Sequence, residues 1–180
     1  MKVHPKFRDH LLETSGEERV GFYERTFFPL SNFSSFAVTW PMEGSEFADE
    51  YPVMEGMTSE HIYQAASYPL SEQGIIQAIL TARSAHDARK IGLAPENIVK
   101  RRAGWRDTKA RVMHSICNAK LLQHKYVEIC LERTGDALIV EDSDQDSFWG
   151  WGPNRDGRNE LGKIWMDLRE SLRDGTIYPR

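Results

Sequence analysis

A chain of 180 residues with 40% hydrophobic and 28% charged residues can bury its own core without metal or disulfide staples. A net charge of −4 excludes a globally basic surface for nucleic acid or an anionic membrane, so any such contact has to be a local patch. Two cysteines, Cys117 and Cys130, make no disulfide framework. No apolar run approaches the ~18 residues of a membrane span, and the polar N-terminus has no signal-peptide core. The reading is a soluble, cytoplasmic protein that engages no membrane.

Residues 1–18 read as a polar lead-in and 19–180 as one domain. Val20-Gly21-Phe22-Tyr23 and Phe33 to Trp40 are aromatic and β-branched, the signature of strands, with Pro29-Leu30-Ser31-Asn32 as turn chemistry between them. Residues 41–57 carry Pro41, Gly44, Pro52 and Gly56 among five acids. They form an exposed acidic loop, with a short edge strand expected at Tyr51–Met54. Helices are predicted from Ser59 to before Pro69, over Ser71–Ala82, and over Ser84–Ile91 with Gly92 at C′. The longest pattern runs from about Asp107 to Arg133, with a break near Gln123-His124, and Gly135 ends it. Ala137–Val140 reads as a buried strand, and a last amphipathic helix opens at Asn159. Strands flank and interrupt helices without βαβ regularity. That predicts an α+β fold, a single compact and mostly helical domain with a small β-sheet.

Three segments carry chemistry. In Thr58-Ser59-Glu60-His61-Ile62-Tyr63-Gln64-Ala65, a hydroxyl N-cap precedes a carboxylate, an imidazole and an amide on the first turns of a helix. Glu60 and Gln64, four apart, share a face. An acid at a helix start also complements the macrodipole, so Glu60 reads either as a helix-stabilising residue or as a working carboxylate. His61 reads as a satisfied core histidine or as support to Glu60. In Lys100 to Arg111, six basic residues surround Trp105 with one acid among them. This is either a phosphate site beside a stacking platform, or a solvated basic helix start with Trp105 as a core anchor. The third segment is acidic, Glu141 to Asp146, followed by Phe148-Trp149-Gly150 and a glycine-rich run into the last helix. It is no calcium loop, because Ser147 and Pro153 stand where glycine and glutamate are needed. Asp146 is its sharpest member, a carboxylate set against aromatic residues. Glycine-rich loops and helix starts bind anions, but glycines in loops also simply make turns. His114 and Cys117 share a helix face without a second ligand pair, so no metal and no cofactor is expected.

Taken in order, these segments resemble the NADAR family of YbiA-like N-glycosidases over roughly residues 20 to 172. The resemblance rests on Phe22-Tyr23, Ser31-Asn32-Phe33 and Thr58 to Ala65. It continues through Trp105-x-x-x-Lys109-x-x-Val112-Met113, Ala119-Lys120-x-x-Gln123-His124 and Asp146-x-x-Trp149-Gly150, and closes with Gly157-x-Asn159-x-Leu161-Gly162-x-x-x-Met166-x-Leu168-Arg169. It implies cleavage of the N-glycosidic bond of ribosides: ADP-ribose on guanine bases of DNA or RNA, or phosphorylated aminopyrimidine ribosides of early riboflavin synthesis. It implies Glu60 and Asp146 as catalytic carboxylates, Glu60 on the ribose and water side and Asp146 on the base side, or the reverse. Asn32, Phe33, His61, Gln64, Arg102, Trp105, Lys109, Trp149, Gly150 and Asn159 become the substrate-binding set. In one respect the chain departs from the family pattern, which usually has a lysine where Gln64-Ala65-Ala66 is followed here by Ser67. Serine forms no Schiff base with an opened sugar. That leaves a route by carboxylates alone, a lysine from elsewhere, or a non-catalytic module that binds ADP-ribose or a nucleotide.

Overall fold

The structure, a computed structural model, describes residues 18–22 and 25–177. The expected lead-in therefore lies outside the described residues except for Glu18, as does Tyr23. In chain order the elements are β1 (Arg19–Gly21), a 3-10 segment (Arg25–Leu30), β2 (Val38–Trp40), β3 (Met54–Gly56), α1 (Ser59–Ala66), a 3-10 turn (Leu70–Glu72), α2 (Gln73–Leu80) and α3 (Ala85–Gly92). There follow α4 (Pro95–Ile98), α5 (Trp105–Gln123), α6 (Lys125–Glu132), β4 (Leu138–Val140) and α7 (Glu160–Arg173). The fold is α+β. Its small sheet is divided into two strand pairs, β1 with β4 and β2 with β3. The chain forms two units, residues 32–123 and the two flanking segments taken together.

In the unit of residues 32–123, β2 and β3 pair antiparallel with Val38 opposite Gly56 and Trp40 opposite Met54. Val38, Trp40, Met54 and Gly56 face inward while Thr39 and Glu55 face out, the alternation of a half-buried pair. Trp40 gathers Phe47 and Tyr51 at centroid distances of 5.5 and 4.9 Å, and its indole N–H reaches Ser115 Oγ at 2.9 Å. The acidic loop is thereby folded down onto its own unit by three aromatic rings. Every residue of α1 is buried, and the helix packs against α2, α3 and α5.

Three expectations shift here, the first being the edge strand expected at Tyr51–Met54, which forms at Met54–Gly56. Residues 33–37 form a turn rather than the start of a strand, because the backbone bonds to itself there and the Ser34 side chain is held from α5. Lys120 donates to Ser34 Oγ at 2.7 Å, and the Phe36 amide bonds the Ser34 carbonyl at 2.8 Å. Gly92 closes α3 from inside its last turn rather than at C′. A Cβ on it would stand 2.4 Å from Gln64 Oε1, so its smallness serves packing, not a left-handed cap.

In the other unit, β1 and β4 pair parallel with Arg19 opposite Leu138 and Gly21 opposite Val140. Val20, Phe22, Ile139 and Val140 are fully buried. α7 covers β4 with Leu161, Ile164, Trp165 and Leu168, and the Trp165 indole donates to the Leu30 carbonyl at 2.8 Å. The helical break expected near Gln123-His124 falls at His124, whose extended backbone separates α5 from α6.

Candidate functional site

Glu60 stands in the first turn of α1 and is 5% exposed. The helix starts where it does because the Thr58 hydroxyl caps it, accepting from the His61 amide. That hydroxyl also lies 2.8 Å from His61 Nδ1, while His61 Nε2 is 3.1 Å from the Ala82 carbonyl. A carbonyl only accepts, so the proton is on Nε2 and Nδ1 accepts from Thr58. His61, fully buried with both ring nitrogens satisfied, anchors the helix start to the end of α2. The Glu60 amide is bonded to the Asn32 carbonyl at 3.1 Å, and Asn32 Nδ2 contacts Met113 Sδ at 3.2 Å. Asn32 is thus joined to both α1 and α5.

The Glu60 carboxylate is met by Gln64. Gln64 Nε2 donates to Glu60 Oε1 at 2.8 Å, and Gln64 Oε1 in turn accepts from Arg101 Nη2 at 2.8 Å. Tyr63, the residue before Gln64, lies 5.3 Å from the Trp105 ring. The Trp105 indole N–H is buried and has no acceptor among the described residues. Phe33 packs edge-on to His86 at 4.8 Å. Lys109, half-buried, is one helical turn beyond Trp105 on α5. Asn32, Glu60, His61, Gln64 and Trp105 are therefore tied together through α1, and the Arg102 amide bonds the carbonyl of Ser67 at the C-cap of that helix at 2.9 Å.

The basic segment meets the acidic loop of its own unit. Arg102 lies 4.1 Å over the Tyr51 ring and 3.5 Å from Glu50, with its Nε donated to the Tyr68 carbonyl at 3.0 Å. Arg111 pairs with Glu46 at 3.0 Å and Lys100 with Glu72 at 3.5 Å. The reversal of sign seen in the sequence is used, at these three positions, to hold neighbouring segments. These pairs are largely exposed, so they orient the loop more than they stabilise it.

In the other unit Asp146 is half-buried. Its Oδ1 accepts from the amides of Phe148 at 2.9 Å and Trp149 at 2.8 Å. Trp149 is half-buried, edge-on to Phe148 at 4.8 Å. Asn159 takes a left-handed backbone, φ 52° and ψ 42°. Its side chain accepts from the Glu141 amide and donates to the Ile139 carbonyl, tying the end of β4 to the start of α7. The glycines explain themselves by close backbone approach: a Cβ on Gly150 would stand 2.5 Å from the Glu141 carbonyl, and one on Gly157 2.4 Å from the Gly150 carbonyl. The first amides of α7, those of Glu160 and Leu161, are bonded to the carbonyls of Phe148 and Trp149. The glycine-rich run is a self-packed turn system, and these two helix-start donors are spent within it.

The geometry adds residues that spacing alone did not single out. Tyr63, Tyr68, Gly92 and Arg101 frame Gln64 and Trp105. The i, i+4 relation of Glu60 and Gln64 is visible in the sequence; the third partner, Arg101, is brought in only by folding. Among the described residues, no group of three or more His, Cys, Asp or Glu side chains is arranged to hold a metal ion. No described helix is long and apolar enough to cross a membrane.

The NADAR domain family model matches residues 21–173. The chain belongs to the NADAR family. An N-glycosidase of Nostoc punctiforme is 33% identical over 154 residues, covering 85% of this chain and 92% of that protein. A riboflavin biosynthesis protein of Vibrio vulnificus is 33% identical over 162 residues, and this chain spans 41% of its length. The NMR structure of Escherichia coli YbiA superposes with a TM-score of 0.72 at 27% identity, covering 98% of this chain and 95% of that one. The NADAR chain described here is an enzyme of the N-glycosidase class, a hydrolase acting on N-glycosyl bonds.

Proposed function

We propose that the enzyme hydrolyses the C1′–N bond of an ADP-ribosyl or phosphorylated riboside, such as ADP-ribose on a guanine base or an aminopyrimidine riboside of early riboflavin synthesis. The observation that carries this reading is Glu60, a nearly buried carboxylate at a capped helix start, oriented through Gln64 on a helix whose Tyr63 packs against Trp105. Breaking C1′–N develops positive charge on the ribose and leaves a base that needs a proton. A fixed carboxylate stabilises the cation and takes a proton from the attacking water. The name of the Vibrio vulnificus relative favours a riboside of the riboflavin route among the substrates.

Trp105 is the base-recognition residue of this proposal. Asp146 enters it separately, as the second carboxylate. With Oδ1 held by two backbone amides, its remaining oxygen is fixed in direction. At the position of the family lysine, Ser67 is fully buried and its hydroxyl is donated to the Gln64 carbonyl at 2.6 Å. The proposal is accordingly a carboxylate route without a covalent ribose–lysine adduct at that position. Ser67 also motivates the second reading, an ADP-ribose-binding module without turnover.

The deciding experiment is release of free ADP-ribose from a guanine-ADP-ribosylated oligonucleotide, followed by chromatography, with aminopyrimidine riboside phosphates in parallel. Release by wild type and its loss in Glu60→Gln supports the proposal. Calorimetric binding of ADP-ribose with no release from any of these substrates establishes the binding module instead.

A further inference from the structure

We infer that Arg101 is a positioning residue for Glu60, acting through Gln64 in a relay framed by Gly92 and Tyr68; this rests on the carboxylate role proposed above for Glu60. A glutamine side chain presents either its oxygen or its nitrogen end to a neighbour, and a carboxylate can use only the nitrogen end. Arg101 removes that choice. A guanidinium has donors alone, so Arg101 Nη2, 2.8 Å from Gln64 Oε1, fixes the oxygen end toward itself. The Nε2 end then points at Glu60 Oε1, again at 2.8 Å. A cation at one end of a hydrogen-bonded chain also polarises the amide and strengthens its donation at the other end.

The frame around the relay is built for it. Arg101 Nη2 also donates to the Gly92 carbonyl at 3.1 Å, and the Tyr68 hydroxyl reaches the same carbonyl at 2.7 Å. Gly92 leaves space for Gln64 that no other residue would, since a Cβ there would meet Gln64 Oε1, Cβ and Cδ at 2.4, 3.0 and 3.0 Å. Arg101 Nε is buried with no acceptor among the described residues. A guanidinium held for stability would be expected to use that donor, because leaving it unmet has a desolvation cost. Its orientation is set instead by Gln64 and Gly92. In the sequence Arg101 is one of six basic residues; in the structure it differs from Lys100, Arg102 and Arg111, each of which pairs with a carboxylate.

The test uses the full chain with Arg101→Met, Arg101→Lys, Gly92→Ala, Gln64→Leu and the Arg101→Met/Gln64→Leu pair, each checked for a retained thermal transition. On the N-riboside that wild type cleaves, Arg101→Met is expected to lower kcat by about 10²-fold with KM within about threefold, as for a small misplacement of a reacting group. Arg101→Lys should recover part of that loss, and Gly92→Ala should reproduce it from the other side. The double variant should be no worse than Gln64→Leu alone, since both act through one path. A folded Arg101→Met with wild-type kcat, or a double variant in which the two losses multiply, overturns the inference. Independently of turnover, the Gln64 side-chain amide is followed by 15N NMR. Its two protons should be widely dispersed in wild type and collapse toward free-amide positions in Arg101→Met; an unchanged pair overturns the relay. Loss of the NMR signature can thus be told from a wild type that cleaves no riboside, which would instead remove the proposed function.

Discussion

Glu60 hangs from a helix whose eight residues are all buried, and its carboxylate is met by a side chain, Gln64. Asp146 lies in the loop between β4 and α7, and its carboxylate is met by the backbone amides of Phe148 and Trp149. The two regions fix an acid by different means. A side-chain partner can be exchanged, as evolution or mutagenesis does, while the helix that carries the acid stays in place. A backbone partner makes the acid part of the loop's own folding, so Asp146 cannot be removed without releasing two amides. The first arrangement separates chemistry from fold; the second couples them.

Four results would sharpen or break that contrast. The largest is expected for Glu60→Gln, which keeps shape and hydrogen bonding but removes the charge. It should cost about 10²–10⁴-fold in kcat with a melting temperature close to wild type; a folded variant with wild-type turnover breaks the assignment. Next is Gly157→Ala, which sets a methyl 2.4 Å from one backbone oxygen and 2.6 Å from another. Backbone cannot retreat like a flexible side chain, so a loss of about 1–3 kcal/mol is expected by denaturant titration. Asp146→Ala should lower stability by about 1–2 kcal/mol through the two freed amides, whereas Asp146→Asn retains an acceptor and most of the stability. If the alanine variant melts with wild type, the loop does not depend on Asp146.

The smallest effect concerns Cys117, buried in the same unit as Glu60. Burial pushes the Cys117 thiol up to about 12, and Lys120 pulls it down only in part. In the unfolded chain the thiol ionises near 9, its ordinary value. Between those limits the native state keeps a proton that the unfolded state releases. Stability is therefore unaffected below about pH 8 and falls as pH rises from about 9 toward 12, by about 1 kcal/mol near pH 10. Urea midpoints at pH 8 and 10 should diverge in wild type and converge in Cys117→Ala; equal divergence in both rules out this origin.

Much of this was legible in the sequence where the signals are local. A hydroxyl cap at Ser59 or Thr58, the Glu60–Gln64 spacing, the break near Gln123-His124 and the start of α7 at Asn159 all depend on residues within a few positions of one another. The departures come from partners distant in sequence. Residues 33–37 look like a strand until Lys120 reaches Ser34, and Gly92 looks like a helix terminator until the Gln64 side chain lies against it. For Lys100 to Arg111 the sequence leaves a phosphate site and a solvated basic helix start both open, because composition shows six cations but not the carboxylates of Glu46, Glu50 and Glu72 that three of them meet. Likewise the glycine-rich run reads as either an anion loop or plain turns, and only the fold shows how closely its own carbonyls approach.

The parallel pairing of β1 with β4 has a consequence for how the protein is made. Arg19–Gly21 leaves the ribosome before residues 32–123, and its partner Leu138–Val140 follows only after all of them have been synthesised. At translation rates of roughly 5–20 residues per second, the first strand waits on the order of ten seconds for its mate. Throughout that interval Val20 and Phe22, both fully buried in the finished molecule, have no β4 to lie beside. Over that interval β1 stands without its partner, while residues 32–123 already hold every contact described around Glu60.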